Sequence, residues 1–442
     1  MLVSVLVLQN VVTFSVNLTD NVMLGRFSQV ALSGAAAVNQ IQFILQQVTF
    51  GIGEGLVVLA SQYWGQRQTE SIKRIISIAF WCGILTGAIL FALASAIPYR
   101  LLSLFTPDQA IIVEGMKYLN VMRYTYLIFI ITNVLLSGLR SAETVKIAFY
   151  ISISTFIINA FINYVLIYGN FGAPRLGSVG SALSTLCARI IELIAVIVYL
   201  GVYDKKLHLK FRDFLHIDRV LLVDFLHVCM PVVVTYGLFG LSTALQTVIL
   251  GHMDSDAIAA NSVATTSYQV LKTVSTGAAS ATAVIIAETV GSGRLEKIRE
   301  YSRTLQLLYV LIGIFTSIVL FAMRPPLLSF YSLTPNARSL SNAFLLVLCV
   351  TCIGTAYQMP ALSGIVRGGG DTKFVLINDL ISIWGIVLPA SFLAAFVFHL
   401  NPVIVVALLN SDQVFKCGAA AIKVNRYKWI KVLARKEEIK SP

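Results

Sequence analysis

"SVNLTDNVMLGRF", residues 15–27, places Asp20 near the end of an apolar run that starts at Met1 and carries no other charge. A run of about 20 apolar residues is long enough to cross a bilayer core of about 30 Å as a helix. An ionised acid at the centre of such a helix costs about 2.5–3.5 kcal/mol on insertion scales, so an idle carboxylate here is unfavourable. The phrase returns as "LSTALQTVILGHM", residues 241–253, with Gln246 where the first copy has Asp20.

The rest of the 442-residue chain has the same texture. It is 57% hydrophobic and 12% charged, with a mean hydropathy of +0.82. A soluble domain carries roughly twice that charged fraction. The apolar runs are continuous rather than alternating, which points to helices and not to a barrel. Twelve spans are expected, at 1–24, 33–62, 75–97, 115–138, 147–169, 179–202, 221–250, 257–290, 304–323, 339–364, 374–398 and 402–422. The chain starts inside its first span without a basic leader, which leaves room for a longer N-terminus. The fold class is therefore an all-α polytopic membrane protein of twelve transmembrane helices.

Lysine and arginine orient the spans. The odd-numbered loops carry only Arg26, Arg100, Lys117, Arg175, Arg324 and Arg338, while Lys205, Lys206, Lys210, Arg212 and Arg219 crowd the central loop. Positive residues remain on the cytoplasmic side, so both termini are expected there. The net charge of +12 reflects this bias and the basic tail 423–442. That tail reads as a membrane-surface anchor rather than a nucleic-acid site.

Shifting the chain by 226 residues, the distance from Asp20 to Gln246, superimposes 20–74 on 246–300 without a gap. Leu24, Gly25, Gly51, Gly65 and Glu70 then meet identical residues, and "LSG" at 136–138 meets "LSG" at 362–364. Six spans per copy make both halves enter from the same side, a repeat typical of secondary transporters. The expected organisation is an N-terminal lobe 1–202, a cytoplasmic linker 203–219, a C-terminal lobe 220–422 and the tail.

Several phrases resemble the multidrug and toxic compound extrusion (MATE) transporters: "TDNVMLGRFSQVAL" (19–32), "GIGEGLVVLASQYWGQ" (51–66), "NYVLIYGNFGAPRLGSVGSALST" (163–185) and "LSGIVRGGGDTK" (362–373). The resemblance implies a two-lobed MATE/MOP-type bundle that exports organic, often cationic compounds against inward H⁺ or Na⁺. It is closer to the DinF-like branch than to the NorM-like branch, because residues 231–250 hold no carboxylate. The DinF-like pattern implies cation coupling at Asp20, Asn133, Asn159, Asn163 and Thr185. Asn163 stands where that pattern has an aspartate, which weakens the case for Na⁺.

The residues support part of this directly. Asn159 and Asn163 are four apart and share a helix face. With Asp20 and Thr185 they offer oxygens to a hard cation such as Na⁺, while a proton needs only the carboxylate. Gln42, Gln46 and Glu54 in the second span, Tyr268 and Lys272 in the eighth, and Asp379 in the eleventh are candidates to line a substrate cavity. Glu54 is expected either to meet a cationic substrate or to pair with Lys272. Arg189 with Glu192, and Asp412 with Lys416, are expected to neutralise each other at helical spacing. Pro360 and Pro389 should kink their spans. In "RGGGDTK" (367–373), Asp371 is expected to cap the next helix.

Cys349 and Cys352 form a CxxC inside a span with no matching pair, so they read as small buried hydrophobes. No metal, redox or enzymatic constellation is expected, and no cofactor beyond a transported ion. The expected partners are the lipid bilayer and small organic cations or amphipathic drugs, with no nucleic acid and no ATPase, and the protein is expected to be a monomer in the plasma (inner) membrane. A flippase for a lipid-linked saccharide is the alternative. It would need an arginine-lined cavity, whereas the first-lobe candidates are mainly acids and amides.

Overall fold

The computed structural model describes residues 2–215, 217–253, 255–329 and 334–435, with no β-strand among them. Long helices follow in the expected order: α1 (Leu2–Phe27), α2 (Gln29–Gly65), α3 (Thr69–Ala96), α4 (Gln109–Ser141), α5 (Lys146–Tyr168), α6 (Ser178–Tyr203), α7 (Arg219–Gly251), α8 (Ser255–Gly291), α9 (Leu295–Ser329), α10 (Pro335–Val366), α11 (Thr372–Val397) and α12 (Pro402–Asn425). Among the described residues, eleven of these helices, α2 to α12, are long and apolar enough to cross a membrane. The 26 residues of α1 rise about 39 Å at 1.5 Å each, enough to do the same.

The helices outrun the apolar spans. α9 begins at Leu295, so Glu296, Lys297, Arg299, Glu300 and Arg303 form its first turns. Hydropathy sees only the lipid-compatible part of a helix, while backbone hydrogen bonding carries the coil beyond it. At the two prolines the structure shows a change of helical winding. α10 changes from α to π winding at Pro360, through Val366. In α11 a short α segment around Pro389, Leu388–Phe392, is flanked by π turns Leu380–Val387 and Leu393–Val397. A proline lacks the donor for its own turn, and the wider winding absorbs the mismatch.

The chain forms two compact units. One comprises 8–60 and 68–233; the other comprises 1–7, 61–67 and 234–442. In the first, α4 packs on α3 and α6, and α5 packs on α6. The central linker is docked there: Trp81 Nε1 and Ser77 Oγ both donate to the Phe214 carbonyl, at 2.8 and 3.2 Å, and Arg74 pairs with Asp218 at 2.9 Å. In the second, α8, α9 and α10 pack together, with α12 against α10. Its core includes Ile249, Ala264, Phe344, Leu348 and Val405, with a second cluster around Tyr309, Ile365 and Trp429.

The internal repeat has a geometric signature inside this second unit. A methyl group on Gly65, at the end of α2, would strike the backbone oxygen of Glu288. One on Gly291, at the end of α8, would strike that of Gln62. These two contacts interchange under the same 226-residue shift. Two repeat-related helix ends therefore cross at reciprocal glycines, and only the absence of Cβ allows so close an approach.

One expectation fails at the C-terminal end. Asp371 precedes α11 but makes no side-chain capping bond. Its carboxylate instead pairs with Lys423 and Lys431, both at 2.7 Å. Burial alone would raise its pKa, but the two ammonium groups prevail and hold it below the usual carboxylate value. The described part of the tail is docked on the protein. Residues 426–435 fold back as a strap: Lys431 N donates to the Gly369 carbonyl at 2.8 Å, Gln62 Nε2 to the Lys431 carbonyl at 3.0 Å, and Leu433 N to Gln62 Oε1 at 2.7 Å. Trp429, fully buried, lies against Gly369, where a Cβ would collide with its ring. Composition could not reveal this docking, because a basic segment with two aromatics, Tyr427 and Trp429, suits a lipid surface and a protein groove equally. The remainder, 436–442, lies outside the described residues.

Candidate functional site

The polar residues of the first unit converge on Asp20. It sits about two turns before the end of α1 and is 9% exposed. Asn163 of α5 donates from its amide nitrogen both to the Asp20 carboxylate and, at 3.2 Å, to Asn159 Oδ1. Asn159 in turn donates to Ser184 Oγ of α6 at 3.3 Å, and that hydroxyl donates to the Asn159 carbonyl at 2.7 Å. The four-residue spacing of the asparagines makes this chain possible, since it puts both amides on one face of α5.

Thr185 and Asn163 complete the cluster from the acceptor side. The Thr185 hydroxyl is close enough to Asp20 to interact with it. Within the described structure, however, neither Thr185 Oγ1 nor Asn163 Oδ1 has a hydrogen bond of good geometry, although both are buried. Buried polar atoms without partners are uncommon and costly. Here they lie beside the one carboxylate of the cluster. The cation acting on Asp20 through space is Arg189, which itself pairs with Glu192 at 2.7 Å and covers the Phe129 ring at 4.8 Å. The arrangement is a single buried carboxylate held by neutral donors, with spare oxygens around it.

Asn133 is placed differently. Its amide donates to the Phe129 carbonyl one turn back in α4, at 3.2 Å, and forms no bond to the chain of amides around Asp20. An asparagine facing its own helix cannot be told from one facing a neighbour by sequence alone. Conversely, two residues outside the expected set belong here: Ser184, and Tyr118, which is buried and within electrostatic reach of Asp20. Ser184 adjoins Thr185, so its proximity to the cluster is legible in the sequence; the inward turn of Tyr118 is not.

The expected cavity residues fall into two groups. Gln42, Gln46 and Glu54 lie on the part of α2 that belongs to the first unit. Gln42 is buried, and its Oε1 has no partner among the described residues. Glu54 pairs with Arg140 of α4, in the same unit, at 2.9 Å. The close approach of α2 and α4 explains the pair: Gly53 lies directly against Ser137, one turn before Arg140.

Tyr268, Lys272 and Asp379 belong to the second unit and are parts of one network. Lys416, 3% exposed, bridges Asp379 at 2.8 Å and Asp412 at 3.1 Å. The expected Asp412–Lys416 pair therefore exists with a second carboxylate added. Asp412 also accepts from Gln413 at 2.8 Å. Gln413 Oε1 accepts from Thr355 and Gln358, each at 2.9 Å, and Thr355 is bonded to Tyr268. Lys272 lies with its ammonium 4.7 Å from the centre of the Phe239 ring and senses Asp412 and Lys416 electrostatically. No group of three or more His, Cys, Asp or Glu side chains suited to a metal occurs among the described residues.

Comparison with known proteins agrees with this architecture. The family model MatE matches residues 6–165 and again 231–393, at nearly the offset of the internal repeat. "Probable multidrug resistance protein YoeA" of Bacillus subtilis is 26% identical over 396 residues, covering 88% of this chain and 84% of the relative. "Probable multidrug resistance protein NorM" of Thermotoga maritima is 24% identical, with coverage of 89% and 84%. Among solved structures, a MOP superfamily transporter from Pyrococcus furiosus superimposes with a TM-score of 0.87 at 16% identity, covering 98% of this chain and 96% of its own. The Vibrio cholerae MATE transporter VcmN in its bent form gives 0.85 at 16%, with coverage of 98% and 95%. These likenesses fix the fold as a two-lobed transporter bundle. With both halves of the chain matched by its model, this multi-pass membrane protein belongs to the MatE family of transporters.

Proposed function

We propose that this transporter exports organic, cationic or amphipathic compounds from the cell in exchange for H⁺ or Na⁺, and that Asp20 is the site where the ion is coupled. The observation that carries the reading is the setting of Asp20: a buried carboxylate inside a span, bonded to the Asn163 amide and flanked by the Asn163 amide oxygen and the Thr185 hydroxyl, neither of which has a hydrogen bond of good geometry among the described residues. A carboxylate so placed is stabilised by anything that neutralises it. A proton does so alone. Na⁺ would draw on Asp20, Asn159, Asn163 and Thr185, as oxygen ligands suit a hard cation. With one carboxylate rather than two, H⁺ is the better fit.

Asn163 provides a way for the cluster to register the exchange. Its nitrogen donates to Asp20 when the carboxylate is ionised. A protonated Asp20 becomes a donor and needs an acceptor, which the same amide supplies after a half-turn about its last torsion. Loading and unloading thereby alter the hold of α5 on α1, and a change at one helix contact can bias two alternative arrangements of the bundle. The working location is the plasma membrane, with both termini cytoplasmic by the distribution of lysine and arginine. The protein works as a monomer without an ATPase.

The test is ethidium transport in proteoliposomes, wild type beside Asp20→Asn, first under an imposed H⁺ gradient and then under a Na⁺ gradient. Wild type should respond to one gradient and the variant to neither. If Asp20→Asn retains gradient-driven transport, the coupling role is wrong. If wild type moves no ethidium under either gradient, a lipid-linked substrate becomes the reading to pursue.

A further inference from the structure

The second unit holds two features that attract organic cations, a pair of carboxylates and an exposed aromatic face, and both are occupied by lysines of the chain itself. Lys416 fills the space between Asp379 and Asp412. Lys272 covers the ring of Phe239. Tyr268, one turn before Lys272 on α8, is joined through Thr355 and Gln413 to Asp412, so the lysine over the ring and the carboxylates sit on one polar network. The cluster is not closed on all sides. The Asp379 side chain is 24% exposed while its partners are nearly buried, and Phe239 is 39% exposed.

We propose that this cluster is a self-occupied receptor for organic cations, in which Lys416 and Lys272 stand in for the guest and are displaced by it. The claim rests on the export reading above and deepens it by assigning the residues that recognise the guest. A tethered ammonium keeps the buried carboxylates neutralised when no substrate is present, which avoids the high cost of an unpaired buried charge. An incoming cation replaces Lys416 at Asp379, the more accessible carboxylate. Lys416 keeps Asp412, which remains anchored by Gln413. An aromatic or quaternary cation gains the face of Phe239 once Lys272 moves aside. Because one salt bridge is exchanged for another, the net affinity is modest, which suits a site that must also release its cargo.

Competition makes a prediction that an ordinary structural ion pair does not: removing a lysine should tighten binding. The experiment measures the dissociation constant of tetraphenylphosphonium for the purified full chain by calorimetry, without any ion gradient. Lys416→Met should bind the probe about fivefold or more tightly than wild type, and Lys272→Met should also gain. Lys416→Arg, still cationic, should not gain. Adding Asp379→Asn to Lys416→Met should cancel the improvement. Thermal unfolding of each variant checks that it is folded, and if Lys416→Met does not fold, Lys272→Met decides. The proposal is overturned if the folded methionine variants bind no tighter than wild type, if the gain survives Asp379→Asn, or if none of the proteins binds the probe. Ethidium transport that remains gradient-driven in wild type alongside any of those results would remove this proposal and leave the export function standing.

Discussion

The two halves of the chain bury charge in opposite ways. Around Asp20 a lone carboxylate meets amides and hydroxyls, and the cation that acts on it, Arg189, is already bound to Glu192. Around Lys416 two carboxylates meet an ammonium supplied by their own helix bundle. The first arrangement leaves a charge to be neutralised from outside. The second is neutralised from within, and an external cation must compete. The repeat thus preserved the scaffold, including the reciprocal crossing of α2 and α8 at Gly65 and Gly291, while the polar chemistry of the two copies diverged.

The largest expected consequence is in stability. Lys416→Met leaves the buried Asp412 and the partly exposed Asp379 without their shared cation and should destabilise the protein by about 3–5 kcal/mol. Asp20→Asn, which swaps a buried acid for a neutral amide, should cost no more than about 1 kcal/mol. Denaturant or thermal unfolding in detergent compares them directly, and equal losses would break the contrast between the clusters.

Converting one cluster toward the other should have an intermediate effect. Asn163→Asp places a second carboxylate against Asp20 with no lysine to separate them. It should cost about 1–3 kcal/mol in the absence of Na⁺. Added Na⁺ should restore much of that loss, because two carboxylates with the Thr185 and Asn159 oxygens make a stronger hard-cation site. A variant whose melting temperature ignores Na⁺ would show that the first cluster is not arranged for a metal ion.

The smallest effect belongs to charges at the edge of the membrane. Lys431, about half exposed, pairs with Asp371 where the strap docks. Lys431→Ala should lower stability by no more than about 1 kcal/mol, far less than Lys416→Met. The sign of its pH dependence is also set. The pKa of Asp371 is depressed in the folded protein, so its contribution is complete above the ordinary value of 3.8 and is lost as the pH falls below it. Strap release, followed by proteolysis near residue 430, should therefore be unchanged from neutral pH down to that value and increase only below it.

Much of this is legible in the sequence because the signals are local or periodic. Asp20 is conspicuous as the first charge of its run, and Asn159 and Asn163 because four residues make one turn. Arg189 with Glu192, and Asp412 with Lys416, are readable for the same reason. Glu54 illustrates the limit. Its span is clear, but its pairing with Arg140 depends on the contact of α2 with α4, set by Gly53 against Ser137. Asp371 shows a second limit: a residue in a good capping position is taken by two lysines distant in sequence, one of them on the strap.

By itself, the sequence determined the order of the long helices, their duplication, and the place of Asp20 at the end of an uncharged apolar run. Hydropathy reports burial in lipid, and a shared register reports common ancestry of the halves. The tertiary structure decided which polar side chain meets which. Each residue turns about 100° and rises about 1.5 Å along its helix. A shift of one residue between neighbouring helices therefore changes every partner without altering a single span. That is why Lys416 can be seen beside Asp412 in the sequence, but only the packing of α11 on α12 brings Asp379 to it.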